Sequence, residues 1–253
     1  MRYFIEFSYL GSNYHGWQIQ PNAITIQEVL ENSMSKILNY KINLIGCGRT
    51  DSGVHSKQMF AHFDVESSIN NNFLHKINSF LPKDIAINRF FAVNIDSHAR
   101  FDAKSRTYEY YMSNIKNPFE LGKTYYYKND LDIIKMNESA KVLLNYTDFK
   151  CFSKSKTDVK TFNCKIFEAN WVLLDNCIVF KITANRFLRN MVRAIVGTLI
   201  EVGLGRISIK EFESIIIKRD RTLAGFSVPA HGLYLKKIKY DWKEILLNGK
   251  EKI

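Results

Sequence analysis

Tyr3, Ile5, Phe7 and Tyr9 alternate with Arg2, Phe4, Glu6 and Ser8. A period of two predicts a strand with one buried face. Thr25-Ile-Gln-Glu28 reads as a capping box. Ile26, Val29, Leu30, Met34, Ile37 and Leu38 follow at helical spacing, which predicts a helix packed on that strand. Apolar runs at Ile42–Ile45 and Met59–Val65 read as two further strands. Phe73, Leu74, Ile77 and Phe80 predict a short helix, and Ile85–Val93 a closing strand. The order is strand, helix, strand, strand, helix, strand.

The second half repeats that order. Arg106–Met112 is a tyrosine-rich strand, and Leu131–Tyr146 reads as a helix. Phe162–Leu174 and Cys177–Thr183 predict a long hairpin around Asp175-Asn176. The longest helix is expected from Arg186 to about Val202, another near Ser208–Ile217, and a last strand at Leu233–Tyr240. The pattern predicts an α+β protein of two ferredoxin-like (RRM-like) halves, with antiparallel sheets and helices packed on one face. The halves are expected at residues 1–104 and 105–253.

Composition narrows the function. With 253 residues, 46% hydrophobic and 13% aromatic, the chain can bury a real core. Thirty-six Lys and Arg against 25 Asp and Glu leave a formal charge of +11, which favours a polyanionic partner through counterion release. No amphipathic basic helix supports a membrane surface, and no uncharged stretch reaches the roughly 20 residues needed to span one. Cys47, Cys151, Cys164 and Cys177 contain no Cys-x-x-Cys pair, so no zinc site is expected. The N-terminus lacks signal-peptide organisation, and a cytoplasmic location is the expectation.

Candidate chemistry gathers in Gly46-Cys-Gly-Arg-Thr-Asp-Ser-Gly-Val-His-Ser56, between the second and third strands. Three glycines let this backbone bend and leave room for a large ligand. Asp51 and Arg49 are its carboxylate and guanidinium. An Asp-Ser-Gly turn explains the same residues without any chemistry. On the expected long helix, Leu188, Met191, Val192, Ile195, Val196 and Leu199 share one face, with Arg186, Arg189 and Arg193 opposite. Such a row is either a solvated face or a place to hold phosphate.

Read together, these segments resemble the bacterial tRNA pseudouridine synthase A family over nearly the whole chain. Gly48-Arg-Thr-Asp-Ser-Gly-Val-His55 is similar to its catalytic motif, with Asp51 at the invariant aspartate. Tyr9–Gln18 resembles its opening loop, Ala99-Arg-Phe-Asp-Ala and Arg106-Thr-Tyr-Glu-Tyr110 its central tyrosine motif. Phe187–Gly197 resembles its long-helix motif, and Arg219–Ala224 and Gly232–Leu235 its C-terminal end. Leu10 stands where aspartate is commoner and Ser52 where alanine is.

The resemblance implies a pseudouridine synthase fold and a homodimer needing no cofactor and no metal. It implies conversion of uridine to pseudouridine at positions 38, 39 and 40 in the anticodon stem-loop of tRNA. Asp51 and Arg193 would be catalytic and paired. Tyr108 would stack on uracil, and Arg49 would lie beside the flipped nucleotide. Arg189 is expected to bind RNA from its place on the basic row, a reading of the residues and not of the resemblance. The reaction breaks N1–C1′ and forms C5–C1′, after the uridine is flipped out of its stack. Asp51 could attack C1′, abstract a sugar proton, or add to C6. His55 reads as a structural histidine, and His15 and His62 are unassigned. The competing readings are a non-catalytic RNA-binding protein with tandem sheet platforms and a hydrolase. The second lacks a paired carboxylate motif.

Overall fold

A computed structural model describes residues 1–70, 72–155, 157, 159–174 and 177–247. The elements up to residue 104 are β1 (Arg2–Tyr9), α1 (Ile26–Leu38), β2 (Ile45–Gly46), β3 (His55–Asp64), α2 (Phe73–Phe80) and β4 (Ile85–Val93). Then come β5 (Ser105–Ser113), β6 (Tyr125–Tyr126), α3 (Ile133–Val142), β7 (Ile166–Leu174), β8 (Cys177–Ala184), α4 (Met191–Gly203) and α5 (Ile209–Lys218). β9 (Leu233–Lys239) and α6 (Trp242–Ile245) end the described chain. The fold is mixed α+β with mostly antiparallel pairing.

The chain divides into two compact units. One holds Met1–Lys104 and the described residues from Leu235 onward, the other Ser105–Tyr234. The sequence assigned everything after residue 104 to the second half, and the reason for the difference lies on β1. Its alternation predicted one buried face, yet Tyr3, Phe4, Ile5, Phe7 and Tyr9 are all buried. On the first face Tyr3 neighbours Phe63 and Phe90, and Phe73 of α2 meets Phe90 edge-on at 5.2 Å. On the other, Phe4 meets Tyr240 at 5.8 Å, and Phe60 and Phe91 each meet Trp242 at 5.4 Å. The C-terminal aromatics therefore cover a sheet face laid down at the start of the chain, burying apolar surface at about 25 cal/mol per Å².

In this first unit β4 pairs with β1, β1 with β3, and β2 adds two residues to β3, all antiparallel. Residues of β9 run beside β3, where Ser56 donates to the Leu235 carbonyl and Gln58 accepts from the Ile238 amide. The strand expected at Ile42–Ile45 shrinks to β2 because α1 takes its backbone donors. Ile42 N donates to Ser35 Oγ at 2.8 Å and Leu44 N to Glu31 Oε1 at 2.7 Å. Thr25 Oγ1 accepts from Glu28 N and starts α1.

In the second unit β8 pairs antiparallel with both β5 and β7. The expected turn at Asp175-Asn176 lies outside the described residues. Asn137 of α3 donates to Trp171 O and accepts from Trp171 N, clipping helix to sheet. Tyr234 returns to β5 and meets the Tyr111 ring at 5.0 Å. Ser208 and Glu211 form a complete capping box at the start of α5.

The longest expected helix is the largest local correction. It begins at Met191, because Asn190 adopts φ 67, a left-handed conformation that cannot continue a helix. Arg186 and Arg189 precede it, and only Arg193 of the expected row lies on α4. The helix is not one-faced: Met191, Val192, Ala194–Ile200, Val202 and Gly203 are buried.

Candidate active site

The Asp51 loop is a turn braced by a second loop. Asp51 O accepts from Val54 N at 3.2 Å, and Gly53 takes φ 78, which its missing Cβ allows. Residues 11–17 then press against it. Gly53 N and Ser52 Oγ both donate to Tyr14 O, and Trp17 N donates to Thr50 O. The approach is so close that a Cβ on Gly16 would sit 2.3 Å from Thr50 O, and one on Gly11 2.0 Å from Val54 O. Thr50 Oγ1 shares a 2.8 Å hydrogen bond with the Tyr9 hydroxyl. The bracing loop is itself tied down, because Tyr14 OH donates to Asp84 Oδ1 at 2.6 Å and Leu10 N to Asp84 O.

Asp51 is thus half-buried on a backbone fixed on both sides, and Arg49 is exposed on the same loop. His55 is fully buried, and its Nδ1 accepts from Gly11 N at 2.9 Å. That makes it part of the brace. Leu10, where aspartate is commoner, ties the bracing loop to Asp84 through its backbone amide, whatever its side chain.

The second unit holds the other expected residues. Tyr108 is half-buried on β5 opposite Ile182, and its ring meets Phe187 edge-on at 5.1 Å. Tyr110 lies two residues on, hence on the same strand face. It is fully buried and donates to Pro229 O at 2.8 Å. Burial, with a smaller push from Tyr125, drives its hydroxyl well above the ordinary range. Arg193 acts the other way on that hydroxyl, and after burial itself it also holds His231 below the usual histidine value. Arg193 is thus within electrostatic reach of both Tyr110 and His231.

Arg193 is gripped by its neighbour in space. Its Nε donates to Val228 O at 2.7 Å, while Val228 N donates back to Arg193 O. Arg189 is exposed on the turn before α4, with its carbonyl accepting from Lys154 N. The expected stripe of three arginines is therefore not formed. Phe187 and the Val228 carbonyl are contacts that pattern reasoning missed. Phe187 opens one of the resembling motifs without a role of its own, and Val228 falls between the motifs at Arg219–Ala224 and Gly232–Leu235.

Among the described residues no three His, Cys, Asp or Glu side chains gather as a metal site, and no helix is long and apolar enough to cross a membrane.

Residues 6–102 and 140–241 match the family described as tRNA pseudouridine synthase. The chain belongs to that family. It is similar to the tRNA pseudouridine synthase A of Parabacteroides distasonis, 50% identical over 241 residues that cover 94% of this chain and 96% of the relative. The counterpart from Bacteroides fragilis is 49% identical over 94% of this chain and 96% of its own length. That from Caldicellulosiruptor saccharolyticus is 39% identical over 93% and 98%. As a member of this family of isomerases the chain is an enzyme, and both the Asp51 loop and α4 lie inside the matched residues.

Proposed function

We propose that the chain converts uridine to pseudouridine in tRNA, at positions 38, 39 and 40 of the anticodon stem-loop. The observation that carries this reading is the Asp51 turn, a half-buried carboxylate on a backbone clamped from both flanks. Such bracing suits a group that must keep one geometry while a nucleoside is taken apart beside it. A passive RNA binder gains nothing from a carboxylate held near phosphate.

In this reading Asp51 is the nucleophile. Its carboxylate bonds to C1′ as the N1–C1′ bond breaks, the uracil turns, and the bond from Asp51 to C1′ breaks as C5 bonds to C1′. The C5 proton is lost and N1 gains one, so the isomerisation is redox-neutral and needs neither cofactor nor metal. Arg193 pairs with Asp51 and favours its ionised form. Tyr108, its ring supported by Phe187, stacks on uracil and assists removal of the C5 proton. Arg49 lies beside the flipped nucleotide, and Arg189 binds RNA.

The same reading makes the enzyme a cytoplasmic homodimer of ferredoxin-like halves. In the first unit, the βαββαβ order with β4, β1 and β3 side by side and β2 on β3 supports that reading of the half, with β9 added beside β3. Tritium release from [5-³H]uridine-labelled tRNA tests the activity, because substitution at C5 frees the label. Asp51→Asn should abolish release while tRNA binding persists. Release within about tenfold of the parent would remove Asp51 from its role.

A further inference from the structure

One segment of the second unit belongs to no part of the mechanism above, yet it contacts Arg193 twice. Residues Ala224–Val228 run along α4 with backbone against backbone. A Cβ on Gly197 would lie 1.8 Å from Phe226 O, and one on Gly225 2.8 Å from Gly197 C. Gly225 N donates to Thr198 Oγ1 at 2.8 Å. At the far end Val228 is wholly buried and exchanges the two hydrogen bonds with Arg193.

What keeps this segment in place is a side-chain lock. Arg221 Nη1 donates to Ala224 O at 3.2 Å and Gly225 O at 3.1 Å, and its Nη2 donates to Ser227 Oγ at 3.1 Å. Asn190 Nδ2 donates to the same Ser227 oxygen at 2.6 Å. Asn190 is the left-handed residue from which α4 starts. Arg221 and Ser227 therefore join the start of the helix to the strip that carries the Val228 carbonyl.

We infer that Arg221 and Ser227 are positioning residues for Arg193. The inference rests on the reading of Arg193 as the partner of Asp51. With Nε committed to Val228 O, the plane of the guanidinium is set by where that carbonyl sits. A fork of donors recognises a carboxylate only when plane and direction match. Loosening the strip tilts the fork without changing its charge, so the loss falls on turnover and not on RNA affinity. Lysine at position 221 cannot replace a planar group that spans three acceptors.

The test uses tritium release by the full chain, with kcat and KM for tRNA measured separately. Arg221→Lys should lower kcat by about 10²-fold, the scale of a roughly 1 Å misplacement, and Ser227→Ala by about tenfold, with KM within about threefold. Ser227→Thr, which keeps the hydroxyl, should restore turnover. In an Arg193→Lys background neither change should lower kcat further, because the group they position is gone. Unchanged kcat in the single variants overturns the inference, as does a loss that persists in full in the Arg193→Lys background. Should Arg221→Lys fail to fold, Ser227→Ala decides, since it removes one hydroxyl. Full turnover in Arg193→Lys and Arg193→Leu would instead reject the role of Arg193 itself, whatever the Arg221 and Ser227 variants do.

Discussion

The Asp51 loop and the Arg193 grip use one device in two settings. Each holds a charged side chain by pressing a second stretch of backbone where only glycine leaves room: Gly11 and Gly16 in the first unit, Gly197 and Gly225 in the second. The brace in the first unit is chain already made, Tyr14 reaching Ser52 38 residues later. In the second it comes afterwards, with Val228 35 residues beyond Arg193. The host also differs. Asp51 rides on a turn, which a glycine can shape locally. Arg193 rides on a helix packed nearly all round, so its backbone cannot move and its side chain alone must be aimed. Accordingly the Asp51 brace bonds the neighbours of Asp51 in Thr50–Val54, whereas the Arg193 brace bonds the guanidinium itself as well as the Arg193 carbonyl.

The comparison is broken most severely by removing the charges it serves. Asp51→Asn and Arg193→Leu should each cost more than about 10³-fold in turnover, with tRNA binding retained. Single-turnover kinetics on saturating tRNA would check this. Turnover by Arg193→Leu close to the parent's would mean that the grip is only a packing feature.

Next come the glycines. Gly16→Ala must place a side chain at φ +83 and 2.3 Å from Thr50 O, and Gly197→Ala one 1.8 Å from Phe226 O. Each should destabilise by about 1–3 kcal/mol, and lower the thermal midpoint by about 3–10 °C. Both should also reduce kcat in the protein that stays folded, the first through Asp51 and the second through Arg193. A variant that loses stability but keeps kcat would show that its backbone contact serves the fold alone.

A third difference lies in pH. In the first unit His62 is buried and its Nδ1 accepts from Ala99 N. Burial, with Arg2 and His98 nearby, lowers its pKa from 6.5 to about 4, against a smaller opposing pull from Asp64 and Asp102. Between those values the unfolded chain binds the proton that the folded chain refuses. The contribution is therefore complete above about pH 6.5 and is lost as pH falls towards 4, by up to about 3 kcal/mol. Thermal melts from pH 7 to 4 should show this decline, and His62→Gln should flatten it. A decline equally steep in His62→Gln would assign the acid sensitivity elsewhere.

How much of this was legible follows from how locally each piece is encoded. The Asp51 loop could be read because glycines, carboxylate and guanidinium are contiguous. The two-sided burial of β1 could not, because the residues that cover its second face, Tyr240 and Trp242, lie at the other end of the chain. The arginine row failed for a different reason. Helical spacing continues smoothly through Arg186, Arg189 and Arg193, and nothing in apolar periodicity marks Asn190 as left-handed. Tertiary contacts decide that point, through Asn190 to Ser227 and Arg189 O to Lys154 N. The Val228 carbonyl was invisible because a backbone acceptor has no letter.

That corrected helix start supplies the mildest and most discriminating change. Arg189 is exposed and lies before α4, whereas Arg193 is half-buried within it. Had both sat on one helical stripe, substituting either would perturb one continuous phosphate-binding face. With Arg189 on a separate turn, Arg189→Leu should touch RNA affinity only. The loss should be a few-fold at moderate salt, with kcat unchanged at saturating tRNA. One phosphate contact fewer should also flatten the plot of log affinity against log salt by about one unit. A titration between about 50 and 200 mM salt, run on parent and variant, reads both quantities. An unaltered slope would remove Arg189 from the RNA-binding surface. A fall in kcat larger than that of Arg193→Leu would reverse the two roles, and with them the contrast between a residue that meets the RNA backbone and one that is aimed.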